Sequence, residues 1–188
     1  MVLLQEYRGT IVRDCALDLL RAWRSKGKPT REDYLAGART LEAARQYARS
    51  GGLWTRSPVM VTATLDDGWG HGLAVIEALA EAVGMTICSL GVLQRPPMIV
   101  KACRDRKADL LGLTVLQFDS DEDLVEITRS LPPKTTLVAG GAAFLYDPDF
   151  AVRTGTHCVA RDGAAFLDFL LQFQPADRGG RTCRHEHS

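Results

Sequence analysis

The sequence predicts an α/β fold in which a doubly wound parallel sheet carries a short helical hairpin at its N-terminus. From residue 58 onward, short β-rich runs alternate with amphipathic segments, a pattern typical of parallel sheets covered by helices. The first 52 residues contain helical apolar stripes and no strand-like run. A content of 46% hydrophobic and 24% charged residues is typical of a chain that buries its own core.

The N-terminal segment, residues 1–52, is predicted to form two helices. Over residues 3–26 an apolar side chain recurs every four residues, at Tyr7, Ile11, Cys15, Leu19 and Trp23. Gly27 and Pro29 end this helix, and Thr30 with Asp33 forms a weak capping-box variant that starts a second one. Two helices are too small a core to stand alone, so we expect their apolar face to pack on the remainder of the chain.

Residues 56–173 are predicted to form the main domain, a flavodoxin-like (Rossmann-type) sheet of five strands. The predicted strands are Val59–Thr64, Met85–Leu90, Asp109–Thr114, Thr135–Ala139 and a weak fifth at Thr156–Ala160. The predicted helices between and after them cover Leu73–Leu79, Pro97–Arg106, Asp123–Ser130 and Ala164–Phe173. In this fold the first strand lies beside the third. Residues 174–188 have no periodicity, and we expect them to be a disordered tail.

Charge and cysteine content restrict the class of function. The chain has 23 basic and 23 acidic residues, a net charge of zero that favours neither nucleic acid nor a membrane surface as partner. Its 5 cysteines include no C-x-x-C pair, so no disulfide framework is expected. The N-terminus lacks a signal pattern, and no apolar run approaches a membrane span. We therefore expect a cytoplasmic protein.

Three unusual segments follow three of the predicted strands. They are Asp66–Gly72, Thr114–Leu116 and Gly140–Gly141. Loops beyond the carboxyl ends of parallel strands converge on one crevice, so these segments predict a single ligand site. Each segment alone is equally compatible with an ordinary glycine-rich turn or a strand end.

Three other classes of protein with such sheets are excluded, because this chain lacks residues that each of them requires. A receiver domain needs an aspartate at the end of the third strand, where this chain has Thr114. A flavodoxin needs hydroxyl side chains in its first phosphate loop, and Asp66–Gly72 has none. A dinucleotide site needs G-x-G-x-x-G, whereas the glycines here are spaced G-x-G-x-G.

Together the three segments resemble the cobalamin (vitamin B12)-binding domain. That family has an aspartate with a histidine two residues on and a glycine three further, then Ser/Thr-x-Leu, then Gly-Gly. Asp67, Gly72, Thr114 with Leu116, and Gly140-Gly141 fit this pattern. The resemblance implies that cobalamin is the cofactor, bound by Asp67, Gly68, Trp69, Gly70, His71, Gly72, Thr114, Val115, Leu116, Gln117, Gly140 and Gly141. It also implies that the Thr114 hydroxyl and the glycine pair receive the nucleotide tail.

Trp69 stands where the family has the histidine that ligates cobalt. An indole has no lone pair in the ring plane and cannot replace it. His71, two residues later, is the alternative cobalt ligand, since a helix N-terminus favours neutral imidazole. We favour a site without a histidine ligand that binds cobalamin base-off, and keep His71 as the second hypothesis.

The resemblance implies a corrinoid carrier subunit that works in methyl transfer with partner methyltransferases. The sequence contains no constellation for proton transfer or nucleophilic attack, so no catalytic residue is assigned and we expect a cofactor-carrying subunit more than a self-sufficient enzyme. The alternative is a module that senses or handles cobalamin for a regulatory partner. In related carriers an N-terminal helical module covers the upper face of the corrin, whereas residues 1–52 supply only two helices.

Overall fold

The structure, a computed structural model, describes residues 2–67 and 71–176, with side chains described from residue 9 onward. Its helices and strands follow one another along the chain in the predicted alternation. They are α1 (Val2–Lys26), α2 (Arg31–Tyr47), β1 (Val59–Thr64), α3 (His71–Ala82), β2 (Thr86–Ser89), α4 (Pro96–Asp105), β3 (Leu110–Thr114), a 3-10 turn (Phe118–Ser120), α5 (Asp121–Ser130), β4 (Thr136–Gly140), α6 (Ala142–Tyr146), α7 (Phe150–Thr154) and α8 (Gly163–Gln172).

The sheet has four parallel strands in the order β2-β1-β3-β4. This confirms the predicted α/β fold class and the predicted pairing of β1 with β3. The weak fifth strand is shorter than predicted, since in the described residues it reduces to one parallel bridge between Ala139 and Val159. Two backbone hydrogen bonds hold this bridge, from Ala139 to Cys158 and from Ala160 back to Ala139.

Alternate residues of each strand point to opposite faces, and each face has its own core. On one face, Met60 and Leu110 pack with α3, α8 and the N-terminal hairpin. On the other face, Val61 and Leu111 pack with α4, α5 and the short helices. Because both faces are covered, the strands are apolar along most of their length, as expected for a parallel sheet.

The N-terminal hairpin belongs to the first of these cores. Tyr34 and Leu41 of α2 are buried together with Leu79 of α3. The hairpin is closed by an edge-to-face contact of Trp23 with Tyr34, whose ring centroids are 5.0 Å apart. Gly37 allows the Trp23 ring to lie against α2, since a Cβ at this position would be 2.4 Å from the ring. The predicted cap of α2 is present, with Thr30 and Asp33 bonded reciprocally.

The helices α6 and α7, between β4 and the terminal bridge, were not predicted. Each has only five residues, fewer than the two turns over which a helical stripe can be recognised. Phe150 anchors them, being fully buried in an edge-to-face contact with Phe144 at 5.0 Å. Across the described part of the chain, no helix has the length and apolarity needed to cross a bilayer.

Candidate B12-binding site

A row of three residues crosses the sheet at the carboxyl ends of its strands. Thr64 is paired in register with Thr114, and Thr114 with Gly140. Paired residues of parallel strands point to the same face, here the face covered by α3 and α8. The strand ends that carry the predicted segments therefore meet on one side of the sheet, where two hydroxyl-bearing residues lie beside a glycine.

A cavity of about 450 Å³ lies over this row. Its walls come from the sheet, from the first turns of α3 and α8, and from α2, which contributes Arg31 and Tyr34. Most of the remaining lining is aliphatic or aromatic, including Val75, Ile76, Leu113, Val138 and Phe166. Apolar walls with a few convergent polar groups are typical of small-molecule sites, which have volumes of roughly 300–1,000 Å³.

Asp66 joins the loop after β1 to the loop after β3. Its Oδ2 accepts hydrogen bonds from the backbone N–H groups of Leu116 at 2.6 Å and Gln117 at 3.2 Å. Asp66 is 4% exposed, and its Oδ1 is buried without a hydrogen-bond partner in the described residues. The carboxylate thus fixes the chain at the rim of the cavity, although the sequence assigned the site to its neighbour Asp67.

Gly141 allows the backbone to turn sharply beneath the cavity. Its φ is +116°, and a Cβ there would lie 2.3 Å from the carbonyl oxygen of Val115. At Gly140, a Cβ would lie 2.4 Å from the carbonyl oxygen of Ala160. Neither position can carry a side chain without moving backbone, so the glycine pair keeps the end of β4 flat.

Charged groups lie among the residues that line the cavity. Arg161 and Asp162 precede α8, whose N-cap is the Asp162 carboxylate, accepting from the Ala165 N–H at 2.7 Å. Burial raises the pKa of Tyr34, and the negative charge of Asp162 adds to this effect. The Tyr34 hydroxyl therefore stays neutral, and it already shares a hydrogen bond with the backbone of Ala164.

The structure brings together half of the predicted site residues as lining of one cavity. These are His71, Gly72, Thr114, Leu116, Gly140 and Gly141. The side chain of Val115 instead packs in the core on the opposite face of the sheet. Asp67 and Gln117 are exposed and do not line the cavity, and Gln117 Nε2 lies 3.4 Å from Asp67 Oδ1. Gly68, Trp69 and Gly70 lie outside the described residues. The assignment of these residues to a cofactor stays a prediction.

Sequence reasoning missed four contributors to this region: Thr64, Asp66, Tyr34 and Arg31. Thr64 had a signal, since it is the strand residue that faces Thr114 in the predicted β1–β3 pairing. Asp66 had only its place in an acidic pair. Tyr34 and Arg31 had none, because their approach depends on where the hairpin docks.

The B12-binding domain family matches residues 58–170, which is more than half of the chain. The chain therefore belongs to the B12-binding domain family. This confirms the recognition made from the three segments, and it supports cobalamin, the ligand named by the family, as the cofactor. A comparison with curated proteins found no match.

Solved structures with the same fold include a cobalamin-binding protein, a cobalamin methyltransferase complex and a corrinoid protein. A cobalamin-binding protein from Desulfitobacterium hafniense DCB-2 is 15% identical, with a TM-score of 0.74 over 89% of this chain and 83% of that chain. The methanol:cobalamin methyltransferase complex MtaBC from Methanosarcina barkeri is 16% identical, with a TM-score of 0.61 over 89% and 69%. The Methanosarcina barkeri monomethylamine corrinoid protein is 15% identical, with a TM-score of 0.53 over 72% and 68%.

The cavity fits the nucleotide tail of a B12 cofactor in three respects. It is apolar and placed at the carboxyl edge of the sheet, where a planar base can lie against Gly140 and Gly141. The Thr114 hydroxyl borders it, and the hydroxyl oxygen of Thr64 is buried there with no partner in the described residues. A buried hydroxyl at a cavity wall can pair with a water or with a polar ligand atom.

Proposed function

We propose that this B12-binding domain is a corrinoid carrier subunit that holds cobalamin base-off and serves partner methyltransferases, in the cytoplasm. The observation that carries the proposal is the cavity beneath the ends of β1, β3 and β4. Base-off binding requires a separate chamber for the nucleotide tail, and this cavity has the place and the lining for one. The corrin would lie above it, against the loops at the carboxyl edge.

When bound, the corrin cobalt supplies the methyl-carrying chemistry, and the chain supplies binding and access. Thr114 would hydrogen-bond the nucleotide tail, and the backbone of Gly140 and Gly141 would form one wall of its chamber. Asp66 would hold the loop after β3 in place, through its bonds to Leu116 and Gln117. None of these roles involves proton transfer to a substrate.

Exposed apolar side chains at the same edge support a macromolecular partner. Four large apolar side chains that follow the strands are about half exposed or more: Leu93 after β2 (62%), Phe118 after β3 (49%), and Leu145 (54%) and Tyr146 (78%) after β4. Apolar side chains exposed at the edge that carries a ligand site favour an interaction surface there. A partner docked at this edge would lie next to the cofactor site.

Binding is tested by gel filtration of the protein after incubation with hydroxocobalamin. We expect the visible corrinoid spectrum to elute with the protein at one cobalamin per chain. A colourless protein peak at saturating cobalamin would refute the proposal.

The axial state is tested by electron paramagnetic resonance after reduction to cobalt(II). A base-off site without a protein nitrogen ligand shows no nitrogen superhyperfine splitting. If splitting appears and is lost in His71→Ala, the histidine-free assignment is wrong and His71 is the ligand. If splitting persists in that variant, the nucleotide base remains on cobalt, and the tail chamber is wrong.

The alternative, a cobalamin-handling module, is favoured by one feature, Trp69 at the place of the ligand histidine. A carrier keeps its cofactor while a methyl group passes through it, whereas a handling module gives the cofactor away. Labelled cobalamin on this protein should therefore stay in place during repeated methylation and demethylation by a partner methyltransferase. Quantitative transfer of the label to an apo-enzyme would favour the handling module.

A further inference from the structure

Thr64 carries a buried hydroxyl group that differs from its neighbours on the same strand face. The residue is 1% exposed, it lines the cavity, and its Oγ1 has no hydrogen-bond partner among residues 2–67 and 71–176. Thr62, two residues earlier on the same strand face, differs in this respect, because its hydroxyl donates to Glu77 at 2.5 Å. Buried hydroxyls are normally paired, so the exception at the cavity wall points to a ligand atom.

The position of Thr64 determines which part of a ligand it can reach. Its register partner is Thr114, so the two hydroxyl-bearing residues stand side by side on the face below α3. The walls around them are largely aliphatic or aromatic, and the charged residues Arg31 and Arg161 come from α2 and the start of α8. A ligand that fits this arrangement is a planar apolar ring with an acceptor atom at the edge that faces the sheet.

We propose that Thr64 is a specificity-determining residue that, beside Thr114, donates a hydrogen bond to a ring nitrogen of the nucleotide base. The proposal rests on the proposed function, since it requires the base-off tail to occupy the cavity. A base that leaves cobalt exposes one nitrogen lone pair, which needs a donor once it is buried. A hydroxyl donor at this wall therefore selects corrinoids whose lower base is a nitrogen heterocycle, over those with a phenolic base or no base.

The test compares three corrinoids on the same protein: cobalamin, a cobamide with a phenolic lower base, and cobinamide, which lacks the nucleotide. Thr64→Val removes the hydroxyl and keeps the shape of the side chain. We expect it to weaken cobalamin binding about tenfold and to leave the other two affinities unchanged. Thr64→Ser, which keeps a hydroxyl, should retain most of the preference for cobalamin.

Thr62→Val is the matched control, because it removes a buried hydroxyl from the same face outside the cavity lining. It removes the hydrogen bond to Glu77 and lowers stability, but it should not change the ratio of affinities among the three corrinoids. Circular dichroism and thermal melting establish that each variant is folded before binding is measured. If Thr64→Val does not fold, the comparison is made with Thr64→Ala and Thr64→Ser, which differ in the hydroxyl.

The outcomes separate this inference from the proposed function. If the wild-type protein binds none of the three corrinoids, the proposed function fails and the inference with it. If it binds cobalamin and the loss of the Thr64 hydroxyl leaves the ratio of affinities unchanged, the carrier proposal stands and the inference is wrong. An equal loss for all three corrinoids also overturns it, since that result indicates a general effect on the cavity.

Discussion

The bond between Asp66 and the loop after β3 offers a quantitative test of how the site is held. Asp66 is buried, and its Oδ2 accepts from two backbone N–H groups, at 2.6 Å and 3.2 Å. A hydrogen bond to a charged group contributes roughly 1.5–3 kcal/mol. Three effects reduce the loss expected for two such bonds. The longer bond is weaker, and the N–H groups that lose their acceptor lie in a loop where water can replace it. The variant also no longer has the energetic cost of burying a carboxylate. We therefore expect Asp66→Ala to lower the free energy of unfolding by about 2 kcal/mol.

The measurement is thermal unfolding followed by circular dichroism, in which this loss lowers the midpoint by roughly 4–8 °C for a chain of this size. Asp66→Asn keeps an acceptor oxygen for the two N–H groups and should lose less than half as much. Asp67→Ala is the control, because this neighbouring carboxylate is exposed, and it should change stability by less than about 0.5 kcal/mol. The reasoning is refuted if Asp66→Ala melts like the wild type, or if the Asn and Ala variants are equally unstable.

Three further predictions concern backbone, charge and thiol chemistry. Gly141→Ala should lower the free energy of unfolding by more than the roughly 1–3 kcal/mol of a strained φ, because the new Cβ also meets backbone. Gly91→Ala, at a φ of +81° with open space around it, should lose only the strain energy. Equal losses for the two variants in urea unfolding would count against this account. A hydrogen bond from Lys26 lowers the pKa of Asp33 from 3.8 to about 2, so its contribution to stability is complete above pH 3.8 and is lost as the pH falls toward 2. The difference in unfolding free energy between wild type and Asp33→Asn should shrink over that interval. A difference that stays constant with pH would refute this prediction. Burial raises the pKa of Cys103 to about 12, so iodoacetamide at pH 8 should leave this thiol unmodified until the protein unfolds. Peptide mass mapping measures the modification, and rapid labelling of Cys103 in the native protein would contradict the prediction.

The predicted fold was accurate where local patterns were long and regular. The β-rich runs of β1 and β3 and the periodic stripe of α1 each carry their own signal, and the order in which they follow one another restricts how the sheet can be wound. The fifth strand was overestimated, because Thr156–Ala160 has strand-like composition but only one bridge to Ala139. Pairing depends on the neighbouring strand, and composition alone does not report it.

The candidate site was predictable to the extent that it follows from strand ends. Thr114, Gly140 and Gly141 line one cavity, because the ends of adjacent parallel strands are necessarily close, while their role as cofactor ligands stays a prediction. Val115 faces the opposite core, which the alternation of side chains along a strand explains. The sequence could also have indicated Thr64 by the same pairing, but not that its hydroxyl would have no partner among residues 2–67 and 71–176.

By itself the sequence determined the family, the sheet and the three segments that converge at its carboxyl edge, because each of these depends on residues close together along the chain. The tertiary structure decided which of two adjacent aspartates is buried, and that Tyr34 and Arg31 of the hairpin form part of the cavity wall. It also decided that the Thr64 hydroxyl has no partner within the part of the chain that the structure describes. These features depend on how distant segments pack, and a hydrogen bond is present or absent according to distances of a few tenths of an ångström. Local patterns do not carry that information.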